Sequence, residues 1–268
     1  LNKAAPASPV QQFWALSIQG QFYVIWILLF AVALLIVRLI KRLPFTRVIT
    51  VVLAITFAVS LAYSVQMERD GAMNAYFHTG TRVWEFAAGG LLALAIMNGR
   101  RFANIFAIPA GWIGLALLLT CGVMIGAPSN FPGWAALWPV TGAVLILMSG
   151  DSRSQSPLSV TRLLGSKPLV WAGGFSYALY LWHWPVLSYL RIVEGATPAP
   201  ELRAAGVFFI FLVSIEIYTW VEKPIRFGMP MRFKTAVLTA AMAGVGLAGY
   251  LSVEQEGYPS RAVQAPER

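Results

Sequence analysis

Apolar stretches of roughly 17–25 residues, the length at which a helix crosses about 30 Å of hydrocarbon, recur along the whole of this chain. Eight can be read against their polar flanks, at residues 18–40, 48–65, 81–97, 105–126, 134–149, 169–192, 204–221 and 235–252. Lipid offers the backbone no hydrogen-bond partners, so segments of this kind must satisfy their own N–H and C=O groups as helices. The expected fold is therefore all-α, a polytopic transmembrane helical bundle with about eight membrane-spanning helices. Composition agrees: 58% of residues are hydrophobic and 12% charged, against about 45–50% and about 25% in soluble domains.

A formal charge of +9 would suggest a nucleic-acid partner in a soluble protein, so the placement of the basic residues decides. They fall between the apolar runs, which excludes nucleic acid and points to the lipid bilayer. Alternate loops collect thirteen of the twenty: Arg38, Lys41, Arg42 and Arg47; Arg100 and Arg101; Arg153, Arg162 and Lys167; and Lys223, Arg226, Arg232 and Lys234. By the positive-inside rule those loops are cytoplasmic and both ends of the chain are extracytoplasmic, in a multi-pass protein of the bacterial inner membrane. The loop 150–168, polar and rich in Ser, reads as a cytoplasmic connector. The opening LNKAAPASPVQQ lacks the features of a signal peptide, so the chain is expected to begin partway through a longer protein. Residues 254–268, with Gly257, Pro259 and Pro266, read as an extracytoplasmic linker toward a further domain, leaving 1–253 as the membrane domain. Cys121 stands alone in an apolar run, where packing is its simplest role, and rules out an internal disulfide.

An ionisable group in hydrocarbon costs at least about 2.5–3.5 kcal/mol on insertion scales, so Arg82, Glu85, His183 and Glu216 each need an explanation. In YFHTGTRVWEF, Arg82 and Glu85 lie three residues apart, on one face of a helix near its outer end. One reading is a structural ion pair. The other has Glu85 orienting a donor or base while Arg82 meets an anionic group. In FSYALYLWHWPV, Ser176, Tyr180 and His183 follow at intervals of four and three and make a polar stripe on an otherwise apolar helix. Pro185, two residues on, is expected to free backbone carbonyls near the imidazole. That stripe is either an aromatic interface belt with a hydrogen-bonded His or a place where imidazole moves a proton or contacts substrate. In QQFWALSIQGQFYVIW, Ser17, Gln19, Gln21 and Tyr23 offer hydroxyl and amide groups suited to sugar hydroxyls but not to acting as bases. The topology puts all three segments in the outer half of the membrane, as one polar cavity open to the outside.

Other signals are weaker. Gly244, Gly246 and Gly249 fit GxGxxG but lie in the last apolar run with no strand before them, so close helix packing is the expected role. EKPIR, from Glu222 to Arg226, reads as a helix stop and charge anchor. Glu216 is expected to hydrogen-bond within the bundle, and His78 to lie in a loop. No metal-binding spacing and no GxSxG elbow occur.

Taken together, FWALSIQGQFYVIW, YFHTGTRVWEFAAGGLLAL, LLGSKPLVWAGGFSYALYLWHWPV and VEKPIR resemble, in order over about residues 10 to 230, the membrane acyltransferase type 3 family. The resemblance implies transfer of an acyl group, often acetyl from cytosolic acetyl-CoA, onto hydroxyls of surface polysaccharide, lipopolysaccharide or peptidoglycan. It implies no tightly bound cofactor, with acetyl-CoA or another acyl-CoA as donor substrate and a surface glycan as acceptor. Arg82, Glu85 and His183 carry over as motif positions for catalysis, and Ser17, Gln19, Ser176 and Tyr180 as substrate contacts. Many members have two acidic residues where Gln19 and Gly20 stand. The family's N-terminal helices, with its best-known His, the Arg upstream of it and an Arg-x-x-Arg motif, have no counterpart in these residues, so the resemblance implies that this stretch alone is inactive. In many members the membrane part leads into an SGNH-type domain, and EQEGYPSR looks like the start of that linker. A different reading is a non-catalytic permease or acyl conduit serving a separate extracytoplasmic transferase domain. A third is a structural membrane scaffold.

Overall fold

The computed structural model describes residues 11–71, 75–99, 104–124, 133–150, 156–195 and 198–256. Among the described residues there are helices and turns and no strand. The long helices are α1 (Trp14–Leu39), α2 (Phe45–Arg69), α3 (Val83–Met97), α4 (Asn104–Met124) and α5 (Leu137–Gly150). A five-residue α6 (Val160–Leu164) follows, then α7 (Lys167–Glu194), α8 (Pro200–Ile217) and α9 (Met231–Glu256). Short 3-10 turns at Gln11–Phe13, Ala75–Phe77, Thr79–Thr81 and Trp134–Ala136 lead into several of them.

Each of the eight expected spans falls on one of these helices. Four helical segments are long and apolar enough to cross a membrane: Trp14–Leu39, Phe45–Arg69, Phe106–Val123 and Pro200–Gly228. Val83–Met97 and Trp134–Gly150 are apolar but shorter. At 1.5 Å per residue, the 15 residues of α3 reach about 22 Å, less than the hydrocarbon thickness. The helical membrane architecture thus holds, while the expected eight crossings are met by four on length and composition.

Two compact units divide the chain. Unit 1 comprises residues 1–173 and 191–196, and unit 2 residues 174–190 and 197–268, so α7 contributes to both. In unit 1 the α1–α2 hairpin buries Ala33, Val48, Ile49 and Leu53, with Leu91 and Leu94 of α3 packed against them. The tightest pairing is α4 on α5, where Gly114 and Gly142 face one another: a Cβ on Gly114 would stand 2.6 Å from the carbonyl of Gly142, and one on Gly142 2.8 Å from that of Gly114. Only side chains reduced to hydrogen let two helix backbones approach so closely. In unit 2, Phe175 of α7 meets Phe211 of α8 edge to face with centroids 6.2 Å apart, beside buried Ile210 and Ser214.

Several expectations change. The loop after residue 150 is not a plain connector, because residues 156–168 contain α6 and the first two residues of α7; residues 151–155 lie outside the described set. EKPIR does not stop its helix. The chain runs on from α8 through widened π-helical turns at Tyr218–Glu222 and Pro224–Gly228. Pro224 has no N–H for the carbonyl of Trp220, and wider turns absorb that lost bond without ending the helix. Gly244 and Gly246 make no close packing contact among the described residues, where a Cβ on either would meet nothing within 4 Å. Glu216, expected to bond within the bundle, is exposed and has no side-chain hydrogen bond among the described residues. Helix α9 runs to Glu256, and residues 257–268 of the expected linker lie outside the described set.

Candidate active site

The first cluster sits at the junction of α1, α2 and α3. The segment before α3 is held by its own polar side chains. Thr81 Oγ1 donates to the carbonyls of Ala75, at 2.7 Å, and His78, at 2.6 Å. Gly80 N–H donates to His78 Nδ1 at 3.1 Å, and the imidazole packs edge-on against Tyr63, centroids 5.4 Å apart. His78 is therefore a turn cap. Ser60, buried in α2, donates to the carbonyl of Gly80 at 2.6 Å and accepts the N–H of Trp84 at 3.0 Å. One hydroxyl thus ties the turn to α2 and caps an amide in the first turn of α3, where no intrahelical partner exists.

This frame presents Arg82 as the residue just before α3. Its Nε donates to Glu85 Oε1 and its Nη2 to Glu85 Oε2, both at 3.1 Å. The pair is bidentate, the geometry in which a guanidinium and a carboxylate bind most strongly. Each side chain is 20% exposed, so the pair is shielded without being sealed from ligand. The guanidinium carbon also lies 5.5 Å from the ring centroid of Trp14 and 5.6 Å from that of Tyr76. Trp14 in turn contacts Tyr76 at 4.7 Å and Phe77 at 5.2 Å between centroids. Aromatic faces favour a cation over them, so the arginine is fixed by a carboxylate and by rings from two other segments. Arg82 Nη1 keeps two N–H donors with no partner among the described residues. An open cavity of about 240 Å³ is lined by Arg82, Glu85, Ala136, Pro139, Val140 and Ala143, one charged wall facing an apolar one.

Helix α1 reaches the same corner through a different set of groups from the one its sequence suggested. Ser17 Oγ accepts from Gln21 Nε2 at 3.3 Å, and Gln21 Oε1 accepts from Thr79 Oγ1 at 2.5 Å, linking α1 to the turn before Arg82. Gln19 donates to Tyr23 Oη at 3.1 Å. Two residues of helix rotate about 200°, which puts Gln19 and Tyr23 on the face away from Ser17 and Gln21. Trp14, Tyr76 and Ser60 were not singled out from sequence, although Trp14 shares the helical face of Ser17 and Gln21, and Ser60 with Ser64 forms a polar stripe in an apolar run.

The second cluster lies in unit 2. Ser176, Tyr180 and His183 share one stripe of α7, with Ser176 exposed and Tyr180 and His183 half-buried. His183 Nδ1 is 2.6 Å from the carbonyl of Tyr180. A carbonyl only accepts, so Nδ1 carries the hydrogen, and in the neutral ring the lone pair is left on Nε2. The helix continues through Pro185. By register that proline deprives the carbonyl of Leu181, not the one His183 uses. Gly174 accommodates the Tyr218 ring, from which a Cβ would be 2.7 Å, so this motif and the start of the π-helical segment pack together.

Unit 1 thus carries a bidentate ion pair at a cavity and unit 2 a histidine oriented by its own helix, and comparison with known proteins says to which family these helices belong. The model of the acyltransferase domain family matches residues 3–221. The chain belongs to this family. Its relatives include a candidate membrane-bound transacylase of Komagataeibacter xylinus, 31% identical over 224 residues that make up 82% of this chain and 52% of the relative. They also include a candidate peptidoglycan O-acetyltransferase of Bacillus subtilis, 28% identical over 238 residues. A third is the peptidoglycan O-acetyltransferase of Listeria monocytogenes, 27% identical over 232 residues. The last two alignments each cover 82% of this chain and 35% of the relative, so the acyltransferase domain described here spans about half to a third of those proteins. No solved structure matches it.

Proposed function

We propose that these residues form part of a membrane-bound O-acyltransferase that moves an acyl group, acetyl in the simplest case, from acyl-CoA to hydroxyls of a cell-envelope polysaccharide, lipopolysaccharide or peptidoglycan. The eight helices α1–α5 and α7–α9 would cross the inner membrane with both ends of this stretch outside. The bilayer and the rest of the full-length protein, including any helices before and any SGNH-type domain after it, would be its partners. The names of the relatives supply the reaction class. The chemistry of Arg82, Glu85 and His183 supplies the assignment of roles.

Acyl transfer to an alcohol needs three things: a base for the hydroxyl proton, a donor for the negative charge that builds on the acyl oxygen, and something to hold the acceptor. His183 Nε2 has the free lone pair that a general base needs, and the bond from Nδ1 to the Tyr180 carbonyl orients the ring. Arg82 Nη1 has N–H donors without a partner among the described residues, on a cation already locked by Glu85, Trp14 and Tyr76, which suits a preorganised oxyanion contact. Glu85 keeps acceptor capacity on both oxygens and would orient the sugar hydroxyl, with Ser17 as a further glycan contact in unit 1; Gln19, on the other face of α1, and Ser176 and Tyr180 of unit 2 would be separate glycan contacts. In the full-length protein the best-known family histidine would be the main base, with His183 assisting.

The observation that carries this reading is the bidentate pair held open at a cavity, because a purely structural ion pair has no need of unspent donors. The test is transfer of labelled acetyl from acetyl-CoA to envelope glycan by the full-length protein. His183→Ala is expected to lower turnover by about 100-fold or more, the lower end of what a positioned acid–base group contributes, and Glu85→Gln, which loses the charge that locks Arg82 and orients the hydroxyl, by about 100-fold as well, as loss of one preorganised contact does. Normal transfer in both variants would remove these residues from the site.

A further inference from the structure

At the other end of α3 a larger cavity has no role in acyl transfer as set out above. It holds about 500 Å³ and is lined by Thr50 of α2 and by Leu91, Leu94, Ala95 and Asn98 at the end of α3. Its floor is the packed core of the hairpin, since Leu91 and Leu94 rest on the cluster of Ala33, Val48, Ile49 and Leu53. Three linings are aliphatic and two are polar. Thr50 Oγ1 already donates to the Thr46 carbonyl, at 2.7 Å, whereas the exposed Asn98 carboxamide has no partner among the described residues. The cavity therefore offers an apolar wall with an unspent amide donor at one end.

Four cations stand at that same end: Arg38, Lys41, Arg42 and Arg47, all exposed. Residues 38–50 contain no Asp or Glu, and none of these four side chains has a hydrogen bond or ion pair among the described residues. Arg47 lies one turn before Thr50, so the two share a face of α2. Elsewhere in the molecule Arg82 and Arg226 do have carboxylate partners. A cleft between membrane helices that is apolar inside and cationic at its rim is complementary to a molecule with a hydrocarbon chain and a phosphate.

We infer that this cleft between α2 and α3 binds an anionic phospholipid of the membrane leaflet, its phosphate among Arg38, Lys41, Arg42 and Arg47 and an acyl chain along Leu91, Leu94 and Ala95. The site is separate from Arg82 and Glu85, and the inference does not rest on acyl transfer. A cationic rim next to a bilayer gains about a fivefold factor in affinity for anionic lipid per cation. Charge alone would give that attraction anywhere on the basic surface. The cavity adds selectivity, because it ties the attraction to the volume beside Ala95 and to the amide of Asn98.

Native mass spectrometry of the purified full-length protein, titrated with phosphatidylglycerol or with phosphatidylcholine of equal chain length, tests this. Wild type should retain phosphatidylglycerol at least about fivefold more tightly, and Arg42→Gln and Arg47→Gln should each weaken it by about that factor. Ala95→Phe, which fills the cleft at constant charge, should abolish the preference. Asn98→Ala changes an exposed side chain and reads the same cleft without packing risk, with a smaller loss expected. Arg232→Gln, the same charge change on α9, should have no effect, and excess acetyl-CoA should leave bound lipid in place. The inference is overturned if Arg232→Gln weakens retention as much as the α1–α2 variants, or if neither Ala95→Phe nor Asn98→Ala changes it. Displacement of the lipid one for one by acetyl-CoA would overturn it too, since the cleft would then belong to a soluble phosphate ligand.

Discussion

The Arg82 corner of unit 1 and the His183 stripe of unit 2 are built in opposite ways. Arg82 is fixed by Glu85 within three residues, but also by Trp14 from 68 residues away, by Tyr76, and by a turn that Ser60 anchors from a third helix. His183 needs none of this: among the described residues its side chain bonds to its own helix, three residues back. A group fixed by its own helix keeps its tautomer as long as that helix survives. A group fixed by four segments keeps its geometry only while their packing does. Substitutions around Arg82 should therefore disturb stability and activity together, whereas those at His183 should separate the two.

The largest effect is expected for Arg82→Ala, which strands the Glu85 carboxylate. Breaking a buried pair costs about 3–5 kcal/mol, and the lower end applies because a fifth of each side chain remains exposed. Thermal unfolding in detergent should show the loss, and Arg82→Lys, with one point charge in place of a fork, should recover only part of it. Next comes His183→Ala, expected to lower acyl transfer by about 100-fold, equivalent to about 2.7 kcal/mol of barrier, with little change in the melting temperature. A large drop in stability for this variant would break the contrast between the two regions. Ser60→Ala should cost about 2 kcal/mol, because it leaves the Trp84 amide without a partner and releases the Gly80 carbonyl. If it also lowers transfer at a temperature where the variant stays folded, the Ser60 anchor positions Arg82. The smallest effect is Gln21→Leu: removing the exposed bridge from Ser17 to Thr79 should cost about 0.5–1 kcal/mol, readable as a shift in the same melting curve.

The helices themselves were largely legible from sequence, because apolar runs in a chain this greasy have few alternatives. The ends of α1, α2 and α7 fall within a few residues of their expected positions. Failures have local causes. EKPIR reads as a stop because proline usually ends a helix, yet widened turns carry the chain past Pro224 to Gly228. The α6 helix is missed because five residues amid serines show no periodicity. The glycines of α9 resemble packing positions by type, but type cannot say whether a neighbouring helix is there.

Sequence by itself determined that this chain is a helical membrane protein of the acyltransferase domain family, and that Arg82, Glu85, His183 and Glu216 are the ionisable residues that stand out in its apolar runs. It could do so because burial of ionisable groups in hydrocarbon is costly enough to single each of them out. Only the tertiary structure decided that Trp14 and Tyr76 clamp the arginine, that Ser60 caps α3, and that Gln21 bridges to Thr79. Those relations depend on how separate helices rotate against one another, and helix rotation is set by packing between distant segments, which no local pattern of residues encodes.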